Sequence, residues 1–253
     1  MTDLRDRVVL ITGASTGIGA AAALAFAKAG SKLAIHYNAS AAEAQKVAAD
    51  VQALGAEALL TQGDLSDATV VPRIVDETMK RYGRIDVLIN NAGGMLGRRP
   101  IAEYSQEHLQ AVLDLNVTQV VMFVHAVVPI MRKQGGGSII NVTSIAARTG
   151  GAGGAVLYGG AKGFISTVTH GWARELAAEN IRVNAVSPGV VTTPFHDRYS
   201  TPQQLETMRG SIPMGRLGTP DECTGTFLYL ASDELSGYIT GQVVEVNGGQ
   251  YMP

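Results

Sequence analysis

Tyr158-Gly-Gly-Ala-Lys162 is the pair of side chains in this sequence best suited to moving a proton. A spacing of four residues puts a phenol and an ammonium on one face of a helix. A free tyrosine titrates near about 10, too high for efficient proton transfer at neutral pH. A neighbouring ammonium stabilises the phenolate, so Lys162 is expected to lower the Tyr158 pKa. Tyr158 would then give a proton to a carbonyl oxygen or take one from an alcohol. The spacing alone is common on exposed helices, and the pair gains weight from its company. Ser144 closes the run Asn141-Val-Thr-Ser144, where its hydroxyl can hold an oxygen beside Tyr158. Asn116 is a polar residue in a largely apolar helical stretch. It needs a partner, and it marks a candidate helix irregularity and a water-mediated route from Lys162 to solvent. Taken singly, Ser144 reads as a turn residue and Asn116 as a satisfied core amide.

The elements that must position these groups alternate along the chain. Short apolar runs at 7–11, 32–35, 56–61, 85–89, 138–142, 181–186 and 242–246 read as strands. Helical patterns fill 17–29, 41–54, 69–82, 105–133, 157–179 and 220–232. This rhythm predicts an α/β fold of the Rossmann type: a doubly wound parallel sheet of about seven strands with helices on both faces. Continuous apolar runs fit parallel strands buried on two sides. No linker or charge block divides the chain, so residues 1–253 are expected to form a single domain.

The first strand runs into Thr12-Gly13-Ala14-Ser15-Thr16-Gly17-Ile18-Gly19 and then a helix. Such a strand–turn–helix gathers unpaired backbone N–H groups and a positive helix end where a pyrophosphate can sit. The pattern G-x-x-x-G-x-G differs from the usual dinucleotide spacing, and a tight turn with glycines for packing is the plainer reading. With a dinucleotide bound, the positive charge of an oxidised nicotinamide would add to that of Lys162 in favouring the phenolate. An acid near the end of the second strand would select NAD by its ribose hydroxyls. Here the segment is His36-Tyr37-Asn38-Ala39-Ser40, without an acid. That favours NADP(H) and leaves NAD(H) possible, with Tyr37, Asn38 and Ser40 as contacts and His36 as a helper. Ser144 falls at the carboxyl end of the fifth strand, where ligands bind in open α/β sheets.

The chain has 253 residues, 46% of them hydrophobic, enough for a core. Its net charge of −2 gives no reason to expect a nucleic acid or an anionic membrane. One cysteine, Cys223, fits a reducing compartment. No 18-residue apolar run and no secretory signal are read at the sequence level, so a soluble, cytoplasmic protein is expected. Five scattered histidines (His36, His108, His125, His170, His196) show no metal-ligand spacing, and no metal site is expected.

These residues together resemble the short-chain dehydrogenase/reductase family in its compact single-domain form, over nearly the whole chain. Thr12 to Gly19 is similar to its nucleotide loop, and Asn90-Asn91-Ala92-Gly93 to its motif after the fourth strand. Asn116, Ser144, Tyr158 and Lys162 fall in the order of its catalytic tetrad. Pro188-Gly189 and Thr193 are similar to its nicotinamide-side motif. The resemblance implies an NAD(P)-dependent oxidoreductase acting on a small-molecule carbonyl or alcohol. It also implies adenine contacts from Asp64 and Leu65, and Asn91 near the adenine ribose. Val191 and Thr193 would touch the carboxamide and diphosphate, and Lys162 the nicotinamide ribose. A lid at 194–213 and a homotetramer with interfaces from the 105–133 and 157–179 helices are implied as well.

Two narrower resemblances differ on substrate. The ending Tyr238-Ile-Thr-Gly-Gln242 … Val246-Asn-Gly-Gly249 is similar to 3-oxoacyl-carrier-protein reductases. Gly97-Arg98, the glycine-rich turn before Tyr158 and Phe195-His196 resemble reductases of uronate-derived keto sugar acids. In that reading Arg98, Arg99, Arg148 and His196 would meet a carboxylate, since arginine suits its two oxygens. As solvated loop charges they would do nothing of the kind. Residues 93–100 and 150–154 look slightly long for the family. A small polar carbonyl substrate is preferred, with the acyl-carrier reading as alternative. A catalytically silent nucleotide-sensing protein is the reading from a different class, and the intact tetrad argues against it. A sugar-nucleotide epimerase would call for a different glycine loop and a longer C-terminal region.

Overall fold

The sheet is built from β1 (Val8–Ile11), β2 (Lys32–Tyr37), β3 (Ala58–Gln62), β4 (Val87–Asn90), β5 (Gly137–Val142), β6 (Ile181–Pro188) and β7 (Val243–Val246). All pairings are parallel, in the order β3-β2-β1-β4-β5-β6-β7. The computed structural model describes residues 3–151 and 153–253. The helices are α1 (Gly17–Lys28), α2 (Ala41–Ala53), α3 (Val71–Tyr82), α4 (Gln106–Leu113), α5 (Gln119–Gln134), α6 (Ala146–Thr149), α7 (Val156–Leu176), α8 (Pro194–Tyr199), α9 (Pro202–Gly210), α10 (Pro220–Ala231) and α11 (Asp233–Ser236). The expected seven-stranded doubly wound fold is thus observed.

Helices cover the sheet on both faces, which is why its inner strands are apolar without alternation. Val9 and Ile11 of β1 point to a cluster that holds Phe26 of α1, Val51 of α2 and Phe227 of α10. Leu10, between them, points to the other side and meets Ile74 of α3, Phe123 and Met131 of α5 and Leu176 of α7. Each fully buried side chain of this size contributes roughly 1.5–3 kcal/mol. An exposed ion pair such as Lys46–Asp50 contributes about 0–1 kcal/mol. The two apolar layers therefore hold the sheet, and the rim charges do not. The alanines of α1 let it lie close to α10.

β1 pairs with β2 on one side and β4 on the other. The chain winds outward in both directions from this point, which leaves a crevice at the carboxyl ends of β1 and β4. The loops 12–16 and 91–100 open there, and both carry residues singled out above.

Three details depart from the sequence expectation. The helix expected over 105–133 is interrupted by a π-helical turn, Asp114–Thr118, with Asn116 at its centre. The Asn116 amide donates to the Val112 carbonyl, four residues back, and to Gly94 in the neighbouring loop, which stabilises the wider turn. Second, β2 runs on to Tyr37, which draws His36 into the sheet. Third, the helical stretch Gln106–Gln134, although no uninterrupted run of 18 apolar residues lies in it, contains a window with a mean hydropathy of 1.7, long and apolar enough by length and composition to cross a bilayer. Its buried side packs on α3, β4, β5 and β6, so it is a core helix of this sheet. Pro129 lies on its exposed face, where water can take up the freed His125 carbonyl.

Candidate active site

The loop after β1 needs glycine at defined places. Gly13 and Gly17 adopt φ of +62° and +57°, a region that favours glycine. A Cβ on Gly19 would lie 2.5 Å from Asn91 Nδ2 and 2.6 Å from the Gly13 carbonyl. The cap residue Thr16 makes no side-chain cap bond, so the first N–H groups of α1 face the loop uncapped. Ser15, Thr16 and Ile18 are half-buried along this turn. Thr12 Oγ1 accepts from the N–H groups of Asn91 (3.0 Å) and Ala92 (2.9 Å), and Asn91 Nδ2 donates to the carbonyls of Thr12 and Gly13. The two loops at the crevice are therefore locked together. The Asn91 side chain, expected at the adenine ribose, is engaged in that lock. Across the crevice, the Thr193 side chain lies 3.3 Å from where a Gly17 Cβ would be, beside the expected diphosphate position. A Cβ on Gly189 would meet Asn247 at 2.8 Å, Pro188 ends β6, and Val191 is buried.

At the end of β2 the structure corrects the role given to His36. Its ring is 2% exposed. The Gly13 N–H donates to Nδ1 at 3.1 Å, and Nε2 faces the Gly63 carbonyl at 3.0 Å. An acceptor at Nδ1 requires the neutral ring with its proton on Nε2. Burial pushes the His36 pKa down to about 4, against the Gly63 bond that raises it. Both ring nitrogens are thus spent within the protein, and His36 is a strut under the loop that follows β1. Tyr37 is half-buried, and Asn38 is exposed with its side chain bonded to Asp64. Bonds from Ser66 and Asn38 hold the Asp64 carboxyl below the usual carboxylate range. Leu65 is buried in the core. Ser40 begins α2 with its hydroxyl unspent on a cap.

Ser144 and Tyr158 are brought together by β5 and α7. The Tyr158 hydroxyl is hydrogen-bonded with Ser144, whose Oγ also accepts the Ala146 N–H at 3.1 Å. Lys162 is buried, and its Nζ donates to the Val142 carbonyl at 2.8 Å. Nζ stands 5.8 Å from the centre of the Tyr158 ring. The expected lowering of the Tyr158 pKa by Lys162 is not what the protein alone produces. Burial pushes Tyr158 up to about 12, with the Ser144 bond opposing, and pushes Lys162 down to about 8. Desolvation disfavours the charged form of each group, which here outweighs their attraction. The proton therefore rests on Tyr158, the state needed to donate it.

Asn116 Oδ1 accepts the Gly94 N–H at 3.1 Å, while its amide holds the Gly94 carbonyl at 2.8 Å. Its side chain is thus committed to shaping the 93–94 backbone. A Cβ on Gly93 would lie 2.8 Å from Asn116 Oδ1 and 3.1 Å from Lys162 Nζ. Only glycine fits between these two residues.

The side chains that the keto-sugar-acid resemblance puts at the substrate, Phe195 among them, differ in fate. Phe195 reaches the site, its ring centre 5.7 Å from that of Tyr158. Arg98 donates to the carbonyls of Tyr199 (2.8 Å) and Gly153 (3.0 Å). Arg148 is paired with Glu245 at 2.8 Å and lies over the Tyr251 ring. His196 bonds Ser200 through Nδ1 at 3.0 Å, and burial lowers its pKa, followed by the nearby Arg98 charge. The two arginines thus join segments of the chain. Of the two stretches that look long, 93–100 is joined to Gly153 and Gly154 by Arg98 and by the Arg99 N–H bond to the Gly154 carbonyl, while residue 152 lies outside the described residues. Tyr199 was missed in the sequence, although it follows Phe195 by four residues and so shares its helix face. A cavity of about 730 Å³ lies at the opposite end of the sheet. Its Arg7, Arg84 and Arg182 are bonded to Asp86 and Asp233, so it is a structural charge network.

Comparison with known proteins identifies the family. A family model described as enoyl-(acyl carrier protein) reductase matches residues 13–250. A 3-oxoacyl-[acyl-carrier-protein] reductase of Synechocystis is 40% identical over 252 residues, covering 100% of both chains. The crystal structure of the NADH-dependent reductase A1-R′, responsible for alginate metabolism, is 33% identical and superposes with a TM-score of 0.91 over 100% of both chains. The same reductase is also known complexed with NAD, with a TM-score of 0.88 over 100% of this chain and 99% of that one. Levodione reductase is 32% identical, with a TM-score of 0.91 over 97% of this chain and 98% of its own. With a glycine loop after β1, a Ser–Tyr–Lys set at the carboxyl ends and relatives matched end to end, this chain is an NAD(P)H-dependent oxidoreductase of the short-chain dehydrogenase/reductase family.

Proposed function

We propose that this protein reduces the carbonyl of a small polar keto compound, such as a keto sugar acid, to an alcohol. The observation that carries the reading is the protonated Tyr158 hydroxyl bonded with Ser144 beside the buried Lys162. The nicotinamide, when bound, supplies the hydride. Ser144 holds the carbonyl oxygen, and Tyr158 donates its proton to that oxygen as charge develops on it. Lys162 stabilises the phenolate left behind, and the Asn116 turn provides the route by which the proton is replaced. Gly13, Ser15, Thr16, Gly17, Ile18, Gly19 and Thr193 would line the diphosphate. Asp64, Leu65, Asn91, Ala92 and Gly93 would line the adenosine side, and Pro188, Gly189 and Val191 the nicotinamide side.

NADP(H) is the favoured cofactor and NAD(H) the accepted second. Residues 36–40 carry no acid, and Ser40 retains its hydroxyl for a ribose phosphate. The likeness to an NADH-dependent reductase supports the second. Residues 1–253 act as one catalytic unit, with 194–213 as a lid over the substrate. The apolar Leu109, Val156 and Phe164, exposed on α4 and α7, support assembly as a homotetramer through these helices. The buried Cys223, its thiol pushed up to about 11 by burial, suits a reducing cytoplasmic setting. A polar substrate is supported by the likeness to A1-R′, and the 3-oxoacyl-carrier-protein alternative by the Synechocystis relative. A panel of keto sugar acids and short 3-oxoacyl thioesters, followed by NADPH and NADH absorbance, tests the reading. Turnover highest on keto acids supports it. Turnover confined to the thioesters selects the alternative, and oxidation of neither cofactor by any carbonyl refutes the function.

A further inference from the structure

Tyr199 stands at the end of α8 with its side chain turned back over the site. Its ring packs edge-on against Phe195 at 4.9 Å, and Phe195 in turn lies on Tyr158. Its hydroxyl sits 3.5 Å from where a Gly94 Cβ would be, at the mouth between the Asn116-shaped loop and Tyr158. It is close enough to Tyr158 to be one of the influences that raise it. Among the described residues, no hydrogen bond engages this hydroxyl. Its backbone is fixed instead: Arg98 Nε donates to the Tyr199 carbonyl at 2.8 Å, while the same guanidinium holds Gly153 in the turn that leads to α7.

We propose that Tyr199 is a substrate-contacting residue whose hydroxyl bonds a second oxygen of the substrate, next to the reacting carbonyl, and that Arg98 is its positioning residue. The site then carries two phenols with different tasks. Tyr158 serves the carbonyl oxygen, and Tyr199 reads the neighbouring hydroxyl or carbonyl. A site built to hydrogen-bond a substrate hydroxyl rejects the analogue that lacks it, because its own polar group loses a partner. The preferred substrates are therefore compact carbonyl compounds with an oxygen on the adjacent carbon. The assignment rests on the proposed carbonyl reduction.

Matched pairs of substrates test it: hydroxyacetone against butanone, and 2-hydroxycyclohexanone against 2-methylcyclohexanone. Wild-type protein should prefer the hydroxylated member of each pair. Tyr199→Phe keeps the ring packing and removes the oxygen, and should reduce that preference by about tenfold, the scale of one hydrogen bond. Arg98→Met should reduce the same preference, and Arg98→Lys should restore part of it. An unchanged preference in Tyr199→Phe, or an equal loss on both members, overturns the assignment while leaving the proposed function standing. Wild-type protein that reduces no carbonyl of the panel overturns both together.

Discussion

The Gly13 N–H donates to Nδ1 of His36, so the first glycine of the loop after β1 hangs on a neutral imidazole at the end of the adjacent strand. Protonation would turn that acceptor into a donor and set two N–H groups against each other. His36 pKa is depressed from 6.5 to about 4, so the folded state binds its proton later than the unfolded chain. The stabilisation is present above pH 6.5 and is lost as pH falls through about 4. The shift is worth roughly 3 kcal/mol. Denaturant melts at a series of pH values should show wild type losing about that much more over this interval than His36→Gln. Parallel pH dependences would contradict the strut.

Gly93→Ala places a methyl against Asn116 Oδ1 and Lys162 Nζ. Overpacking of this kind costs about 1–3 kcal/mol. Turnover should fall along with Tm, since the displaced groups are Lys162 and the Asn116 turn. A variant with wild-type Tm and kcat would show that the gap is not needed.

Arg148 pairs with Glu245, whose side chain is only 9% exposed. Arg148→Ala removes the ionic partner of that carboxylate, leaving it the Asn247 amide at 3.3 Å, and should lower stability by about 1–3 kcal/mol. The KM for a carboxylated substrate should change little. A raised KM with unchanged Tm would return Arg148 to the substrate.

The Lys162 ammonium, with its pKa near about 8, should give carbonyl reduction a limb in that range. Below it Lys162 is charged and supports the phenolate, and above it the support is lost. The rate of reduction should therefore hold below about pH 8 and fall above. A rate that climbs through this range would contradict the role of Lys162.

The order of strands and helices was legible because two-sided burial leaves continuous apolar runs and glycine punctuates the turns. The Asn116 irregularity was legible too, because a lone amide in an apolar helix must find partners, and it found Val112 and Gly94. What escaped was decided by contacts between distant segments. Nothing local says that Arg98 ends on the Tyr199 and Gly153 carbonyls, or that Arg148 ends on Glu245. His36 looked available for a ligand because the strand was read two residues short. The sign of the Tyr158 shift was missed for a related reason: proximity to Lys162 is visible in the spacing, but shared burial is not.

The central claim is that Tyr158 donates the proton. Tyr158→Phe keeps the ring on Phe195 and removes only the hydroxyl. Measured by single-turnover oxidation of bound NAD(P)H in the presence of a carbonyl compound that the wild-type protein reduces, it should bind cofactor as wild type does and turn over about 10²–10⁴-fold more slowly. Turnover at the wild-type rate would contradict the account.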